Sequence, residues 1–230
     1  MTALASSPQH TTFSEVVIQT LTELTVRVPR RSGCCALIAI KDRGRCKTRL
    51  REALEERARR DLVQSMLMHV LDAARNALTV QQVIVVSPER DDVPIDVPVL
   101  TDAGIGLNDA FGIAHQAVQA MNYRELLLLP ADLPLVTSAE IDQLVRAGRR
   151  GGFAIAPDSA DRGTNGLCLD AASPFNFQFG SDSKRLHLLE ASRQRLGAQI
   201  LRLSGFAFDT DAPEDVTALW DMGWAACRRA

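Results

Sequence analysis

The chain has 230 residues, 26 Lys and Arg against 28 Asp and Glu for a formal charge of −2, with 46% hydrophobic and 23% charged residues. This is the composition of an ordinary soluble globular protein, and a pI of about 6.1 argues against a general nucleic-acid binder, which needs a basic excess. Five cysteines without a C-x-x-C pair write neither a disulfide framework nor a zinc ribbon, no apolar run approaches the roughly 18 residues of a membrane span, and the N-terminus carries no secretory pattern, so a cytoplasmic, reducing compartment is expected.

Residues 1–11 are rich in Ser, Thr and Pro, Phe13 to Val26 places Val16, Val17, Leu21 and Leu24 at helical spacing, and Val28 to Gly33 reads as a linker. An extension over 1–33 is therefore expected before a catalytic domain over 34–230. Cys34 to Ile40 is a continuous apolar run of the kind a fully buried parallel strand shows, and Ala53 to Leu78 carries apolar residues at helical intervals. Further strands are expected at Val83 to Ser87, Val97 to Leu100, Glu125 to Leu129, Phe153 to Ala156 and Leu167 to Leu169. Helices are expected at Leu107 to Met121, Ser138 to Ala147, Lys184 to Leu196 and Pro213 to Cys227. Apolar strands alternating with helices predict α/β architecture, a single doubly wound and mostly parallel sheet whose ligand sits beyond the carboxyl ends of the strands.

The loops after those strands hold the unusual chemistry. Lys41, Arg43, Arg45, Lys47 and Arg49 crowd one strand-end loop, either an anion cradle or a solvated basic turn; it is not a P-loop, because Cys46 stands where that motif needs glycine. Gly104 and Gly106 permit a close backbone approach, and Asn108 offers a donor and an acceptor at a helix start, although a plain strand-to-helix turn would look the same. Asp132 emerges from a buried strand between Pro130 and Pro134, where a divalent cation would pair with it. Asp209 and Asp211 project to one face of an extended segment and can share a hard cation, with a helix cap as the alternative for Asp211. Two polar turns, Asp161 to Gly166 and Phe179 to Lys184, are rich in backbone donors; the second opens a helix whose free amides could hold a phosphate or carboxylate. His187, one turn into that helix, could touch an anion, but a lone histidine is more often packed.

In that order these motifs resemble the guanylyltransferases that act on small phosphorylated acids in biosynthesis of the deazaflavin coenzyme F-420, the CofC family. The matching stretches are Lys41 with Lys47-Thr-Arg-Leu50, Asp102 with Gly106-Leu-Asn108, Leu129-Pro-Ala-Asp132-Leu-Pro134, Asp161-Arg-Gly-Thr-Asn165, Phe179-Gly180 with Ser183 and His187, and Asp209-Thr-Asp211. The resemblance spans about Leu37 to Trp220 and implies a nucleotide-diphospho-sugar transferase type of fold. It implies joining of GTP to 2-phospho-L-lactate, phosphoenolpyruvate or 3-phospho-D-glycerate with release of pyrophosphate, in a protein with no membrane or nucleic-acid partner and compatible with a homodimer. By the same resemblance Lys41, Lys47 and Arg49 are catalytic, Ser87, Gly106 and Asn108 bind the nucleotide, Thr164, Gly180 and Ser183 bind the acid, and Asp132, Asp209 and Asp211 hold Mg²⁺. Ala39 replaces a proline usual in the family, and Asp182 stands where a small residue is common, a charge that would favour an acid with a free hydroxyl, 3-phosphoglycerate. The alternatives are another nucleotidyltransferase of the same fold, which would open with a glycine-rich loop, and a non-catalytic nucleotide-binding module.

Overall fold

A computed structural model describes residues 31–40, 50, 54–91, 93–101, 106–210 and 212–224. The elements in chain order are β1 (Arg31–Ala39), α1 (Glu56–Arg75), β2 (Val80–Ser87), β3 (Val99–Thr101), α2 (Leu107–Ala120), β4 (Tyr123–Pro130), α3 (Ser138–Gly151), β5 (Gly152–Ala156), β6 (Gly166–Asp170), α4 (Ser183–Arg193), β7 (Gly197–Ile200), α5 (Ser204–Ala207) and α6 (Pro213–Asp221). The helix expected over Phe13 to Val26 lies outside the described residues. Strand β1 starts at Arg31, inside the segment read as linker, because backbone pairing extends beyond the apolar run that marks its buried part.

The strands form one seven-stranded sheet in the order β3-β2-β1-β4-β6-β5-β7. β1 pairs in parallel with β2 and β4, β2 with β3, and β5 with β7. β6 runs antiparallel to both its neighbours. The reason lies in the connection: residues 157–165 between β5 and β6 contain no helix, and a parallel crossover needs a dozen or more residues, usually helical. This reversal starts β6 at the end of the sheet where β4 finishes, which brings Thr164 and Asn165 to the site.

Leu126 to Leu129 of β4 are all essentially inaccessible because both faces of the sheet are covered. Leu127 and Leu129 join Leu67, Leu71, Ile141 and Leu144 of α1 and α3 on one side. Leu126 and Leu128 pack with Phe111 and Val118 of α2 and with Phe153 and Phe177 on the other. Each such leucine contributes about 1.5–3 kcal/mol before conformational entropy is set against it. Helix α3 is started by a capping box in which Thr137 accepts from the Glu140 N–H and the Glu140 carboxylate accepts from the Thr137 N–H. Where the sheet interior meets its amino-terminal end, the buried Glu125 carboxylate is held by Arg149 at 2.8 and 3.0 Å and by Arg124 at 3.1 Å, so its charge is paired.

After β6 the chain must return from the amino end of β4 to the carboxyl end, and residues 171–182 do so without regular structure. Aromatic packing holds this strap to the core: Phe175 stacks on Phe153 at 5.4 Å, Phe177 meets His115 at 5.6 Å, and Phe179 meets Phe111 at 5.0 Å.

Candidate active site

Strands β1 and β4 lie side by side, yet β1 leads to β2 on one flank while β4 leads toward β6 on the other. This is the switch point at which doubly wound sheets bind ligands. A cleft of about 320 Å³ opens there, and its walls include Ala39 and Pro130 at the two strand ends, Asp132 and Asp209, the turn from Gly163 to Asn165, and Phe179, Gly180 and Ser183. Five of the expected site residues thus share one cleft: Asp132, Thr164, Gly180, Ser183 and Asp209.

Asp132 reaches it because β4 ends at Pro130 and the following backbone stays tied to β1, with the Ala131 N–H donating to the Ala39 carbonyl at 3.0 Å. Asp209 follows the short helix α5. Thr164 and Asn165 stand just before β6, Asn165 anchored by its N–H to the Ala156 carbonyl and by its carboxamide to the Phe206 carbonyl at 2.8 Å. Gly163 lies close against Asp158: a Cβ there would stand 2.6 Å from Oδ2 of Asp158 and would require that carboxylate to shift. Gly180 takes a φ of +131°, a left-handed conformation that favours glycine.

The amino terminus of α4 is less open than a free helix start. The Ser183 N–H is engaged by the Gly180 carbonyl at 3.2 Å and the Lys184 N–H by the Arg162 carbonyl at 3.0 Å. Two first-turn amides are therefore spent within the protein, and the polar groups left on this wall include the hydroxyls of Thr164 and Ser183. Lys184 also ion-pairs with Asp161 at 2.6 Å, joined there by Arg202 at 3.1 Å, so the 161–164 turn and the helix start are fastened together. The Lys184 hydrogen bond, followed by Arg202, holds the Asp161 carboxyl below the usual carboxylate range.

Behind Thr164 lies His187, fully buried, with Nδ1 at 3.0 Å from the Thr164 hydroxyl and Nε2 accepting from the Gln178 N–H at 3.0 Å. Burial lowers its pKa from the ordinary 6.5 to about 4, and burial likewise lowers that of His115 on the opposite end of the strap. The consequence for stability has a definite sign. Between about pH 6.5 and 4 the unfolded chain binds protons that the folded chain refuses, so this contribution is intact above pH 6.5 and is lost as pH falls toward 4. At 1.36 kcal/mol per unit the loss from His187 approaches about 3 kcal/mol. Thermal unfolding between pH 7.5 and 4.5 checks this, with a midpoint that falls on acidification and falls less in His187→Asn; a midpoint with the same pH slope in both proteins would remove His187 from the account.

The three residues expected at the nucleotide do not line this cleft. Ser87 is buried at the end of β2 with its hydroxyl accepting from the Glu89 N–H at 3.3 Å. Gly106 is the N-cap of α2 with a φ of +99°. Asn108 stands one step behind the cleft wall: its Oδ1 accepts from the Phe179 N–H at 2.7 Å and its Nδ2 donates to the Phe179 carbonyl at 3.1 Å. Lys41, Lys47, Arg49 and Asp211 lie outside the described residues. The N-cap of α6 is Ala212, whose N–H donates to Asp215 at 2.7 Å, so the cap that stood as the alternative role for Asp211 falls one residue later. Asp182 is exposed, caps α4 with a φ of +55° and does not line the cleft, so the charge expected beside the acid is not on its wall.

A different carboxylate is on that wall. Asp158 accepts from the Arg162 N–H at 2.9 Å and lines the cleft beside Gly163. The strand-end pattern that marked Asp132 is repeated in Ile155-Ala-Pro-Asp158, and that was its available signal. Among the described residues no three His, Cys, Asp or Glu side chains stand together as a metal cluster, and no helix is long and apolar enough to cross a membrane.

The same fold occurs in a protein described as a nucleotide-diphospho-sugar transferase from Desulfovibrio desulfuricans G20, with a TM-score of 0.70 at 19% identity over 84% of this chain and 89% of that one. A CMP:2-keto-3-deoxy-manno-octonic acid synthetase complexed with CTP superposes with a TM-score of 0.58 at 11% identity, over 84% of this chain and all of that one. These likenesses show the fold, whose switch point holds the cleft described above. More narrowly, residues 34–223 match the family model "Guanylyl transferase CofC like", and the chain belongs to that family. It is 35% identical over 188 residues to a phosphoenolpyruvate guanylyltransferase of Sphaerobacter thermophilus, covering 80% of this chain and 91% of the relative. It is 33% identical over 189 residues to a 3-phospho-D-glycerate guanylyltransferase of Phenylobacterium zucineum, covering 78% and 86%.

Proposed function

We propose that this enzyme transfers the guanylyl group of GTP to the phosphate of a three-carbon phosphorylated carboxylic acid, releasing pyrophosphate, as a cytoplasmic step of coenzyme F-420 biosynthesis. The carrying observation is the single cleft in which Asp132 and Asp209 share the walls with Thr164, Gly180 and Ser183. Acids on one part of the wall and neutral donors on another suit a metal-bound triphosphate meeting an anionic acceptor.

An acceptor phosphate oxygen forms a bond to the α-phosphorus of GTP while the bond from that phosphorus to the β-phosphate oxygen breaks and pyrophosphate departs. The acceptor is ionised at neutral pH, so no general base is required. Thr164 and Ser183 donate to the acid through their hydroxyls, and Gly180 lets the backbone approach it closely. Lys41, Lys47 and Arg49 neutralise the triphosphate and the leaving pyrophosphate. The oxygen-only donor set Asp132, Asp209 and Asp211 fits a hard divalent cation and would hold Mg²⁺. When bound, that ion would neutralise phosphate charge and align the reactants. In this reading Asn108 acts from behind the wall by holding Phe179, while Ser87 and Gly106 flank the nucleotide side.

The relatives' names divide between phosphoenolpyruvate and 3-phosphoglycerate, and 2-phospholactate shares their phosphate and carboxylate. The test is pyrophosphate release from GTP, ATP, CTP and UTP against each of the three acids, with the products weighed by mass spectrometry. A guanylylated acid from at least one of the three, dependent on both GTP and acid, is the expected result. Equal product from every nucleotide, or pyrophosphate release without acid, would overturn the assignment.

A further inference from the structure

We propose that His187 is a positioning residue that fixes the Thr164 hydroxyl as a hydrogen-bond donor directed into the cleft. The inference deepens the acid-binding reading of Thr164 given above and rests on it.

The argument begins at the far side of the ring. The Gln178 backbone N–H can only donate, and it lies 3.0 Å from Nε2, so Nε2 is an acceptor and carries no proton. A neutral imidazole with a bare Nε2 holds its proton on Nδ1. Nδ1 lies 3.0 Å from the Thr164 hydroxyl oxygen and therefore donates to it. A threonine hydroxyl has one proton and two lone pairs; with a lone pair taken by His187, the proton must point elsewhere. Among the described residues the Thr164 hydroxyl has no other hydrogen-bond partner, and Thr164 is on the cleft wall. The proton is left for the ligand.

The surroundings keep the ring in this state. Phe179 meets it edge-on at 4.7 Å and Phe175 at 6.0 Å, while the ring itself is fully buried. A proton added to Nε2 would face the Gln178 N–H, and burial opposes the charge it would bring, which agrees with a pKa near 4. Thr164 is thereby tuned to an acceptor-only group such as a phosphate or carboxylate oxygen. A hydroxyl free to rotate could serve a donor or an acceptor equally well, and this one is committed.

The test compares amide replacements that each keep one half of the ring's bonding. In His187→Asn the amide reaches the level of Nδ1 and still donates to Thr164; in His187→Gln it reaches the level of Nε2, accepts from Gln178 and loses Thr164. Steady-state KM is measured for the acid and for GTP in both, in Thr164→Val, and in the double variants. Thr164→Val is expected to raise the KM of the acid about ten- to hundredfold, the weight of a hydrogen bond to a charged group, with the KM of GTP little changed. His187→Asn should stay within about threefold of wild type, His187→Gln should rise by about tenfold, and neither should add to Thr164→Val. A packing role predicts the reverse order, because Gln fills more of the ring's volume than Asn.

Two results separate the failures. An unchanged acid KM in Thr164→Val overturns the acid-binding reading and the inference with it. A raised KM in Thr164→Val combined with equal Asn and Gln variants, or with His187 effects that multiply onto Thr164→Val, overturns the positioning role alone. Should a variant fail to fold, long-range ¹H–¹⁵N spectra of the wild-type enzyme decide the same point: the Nδ1–H tautomer at pH 7 is expected, and an Nε2–H tautomer refutes the inference.

Discussion

Replacing Asp132 or Asp209 with alanine is expected to reduce Mg²⁺-dependent turnover by at least about 10³-fold while the protein stays folded. Both side chains line the cleft, and neither belongs to the two hydrophobic clusters that hold the sheet to its helices. In the proposed reading, removing a carboxylate there takes away charge and geometry where the two phosphates would meet, and a change of 10³ in rate corresponds to about 4 kcal/mol of transition-state stabilisation. The backbone of the Asp132 loop is set by Pro130, Pro134 and the Ala131 to Ala39 hydrogen bond, so substitution of the side chain should leave it in place. Turnover as a function of Mg²⁺ concentration, read beside the thermal midpoint, separates the outcomes. Loss of rate at an unchanged midpoint supports the metal-holding role, whereas near-normal rates in either variant would remove it.

Asn108→Ala carries the second large expected effect, and its direction discriminates between two roles. Family resemblance places this residue at the nucleotide, but the structure shows its carboxamide closing a two-bond clamp on the Phe179 backbone. Alanine leaves a donor and an acceptor of Phe179 without that partner, at a cost of about 1–3 kcal/mol for each group that stays buried. The strap then loses its fixed end beside Gly180 and Ser183, and the KM of the acid is expected to rise at least tenfold, more than the KM of GTP. Asn108→Asp, which keeps the acceptor and turns the donor into a second oxygen facing the Phe179 carbonyl, should not rescue it. A rise confined to the KM of GTP in Asn108→Ala would return the residue to the nucleotide.

Both predictions depend on residues whose type is visible in the sequence and whose job is not. Asp132 could be picked out because a charge leaving a four-leucine strand between prolines is costly without a partner, an argument that needs only local chemistry. Asn108 presents the same carboxamide to a base, a helix amide or a loop 71 positions away, and only the folded chain brings Phe179 to it. His187 is similar: a histidine on a helix has no readable tautomer until the Gln178 N–H and the Thr164 hydroxyl are in place on either side of the ring.

By itself the sequence determined the elements that local patterning controls. The Cys34 to Ile40 and Leu126 to Leu129 runs announce strands covered on both faces, since only such burial tolerates apolar residues at consecutive positions. The amphipathic spacing of α1 and the Thr137–Glu140 box likewise depend on neighbours three or four positions apart. Tertiary structure alone decided the antiparallel course of β6, the short edge strand β7, and the exclusion of Asp182 from a cleft that instead receives Asp158. β6 is antiparallel because its helix-free connection from β5 is too short for a crossover and it enters between β4 and β5, and cleft membership depends on loops meeting from the ends of separate strands. Such long-range contacts follow from the packing of the whole chain, and no local window of sequence contains them.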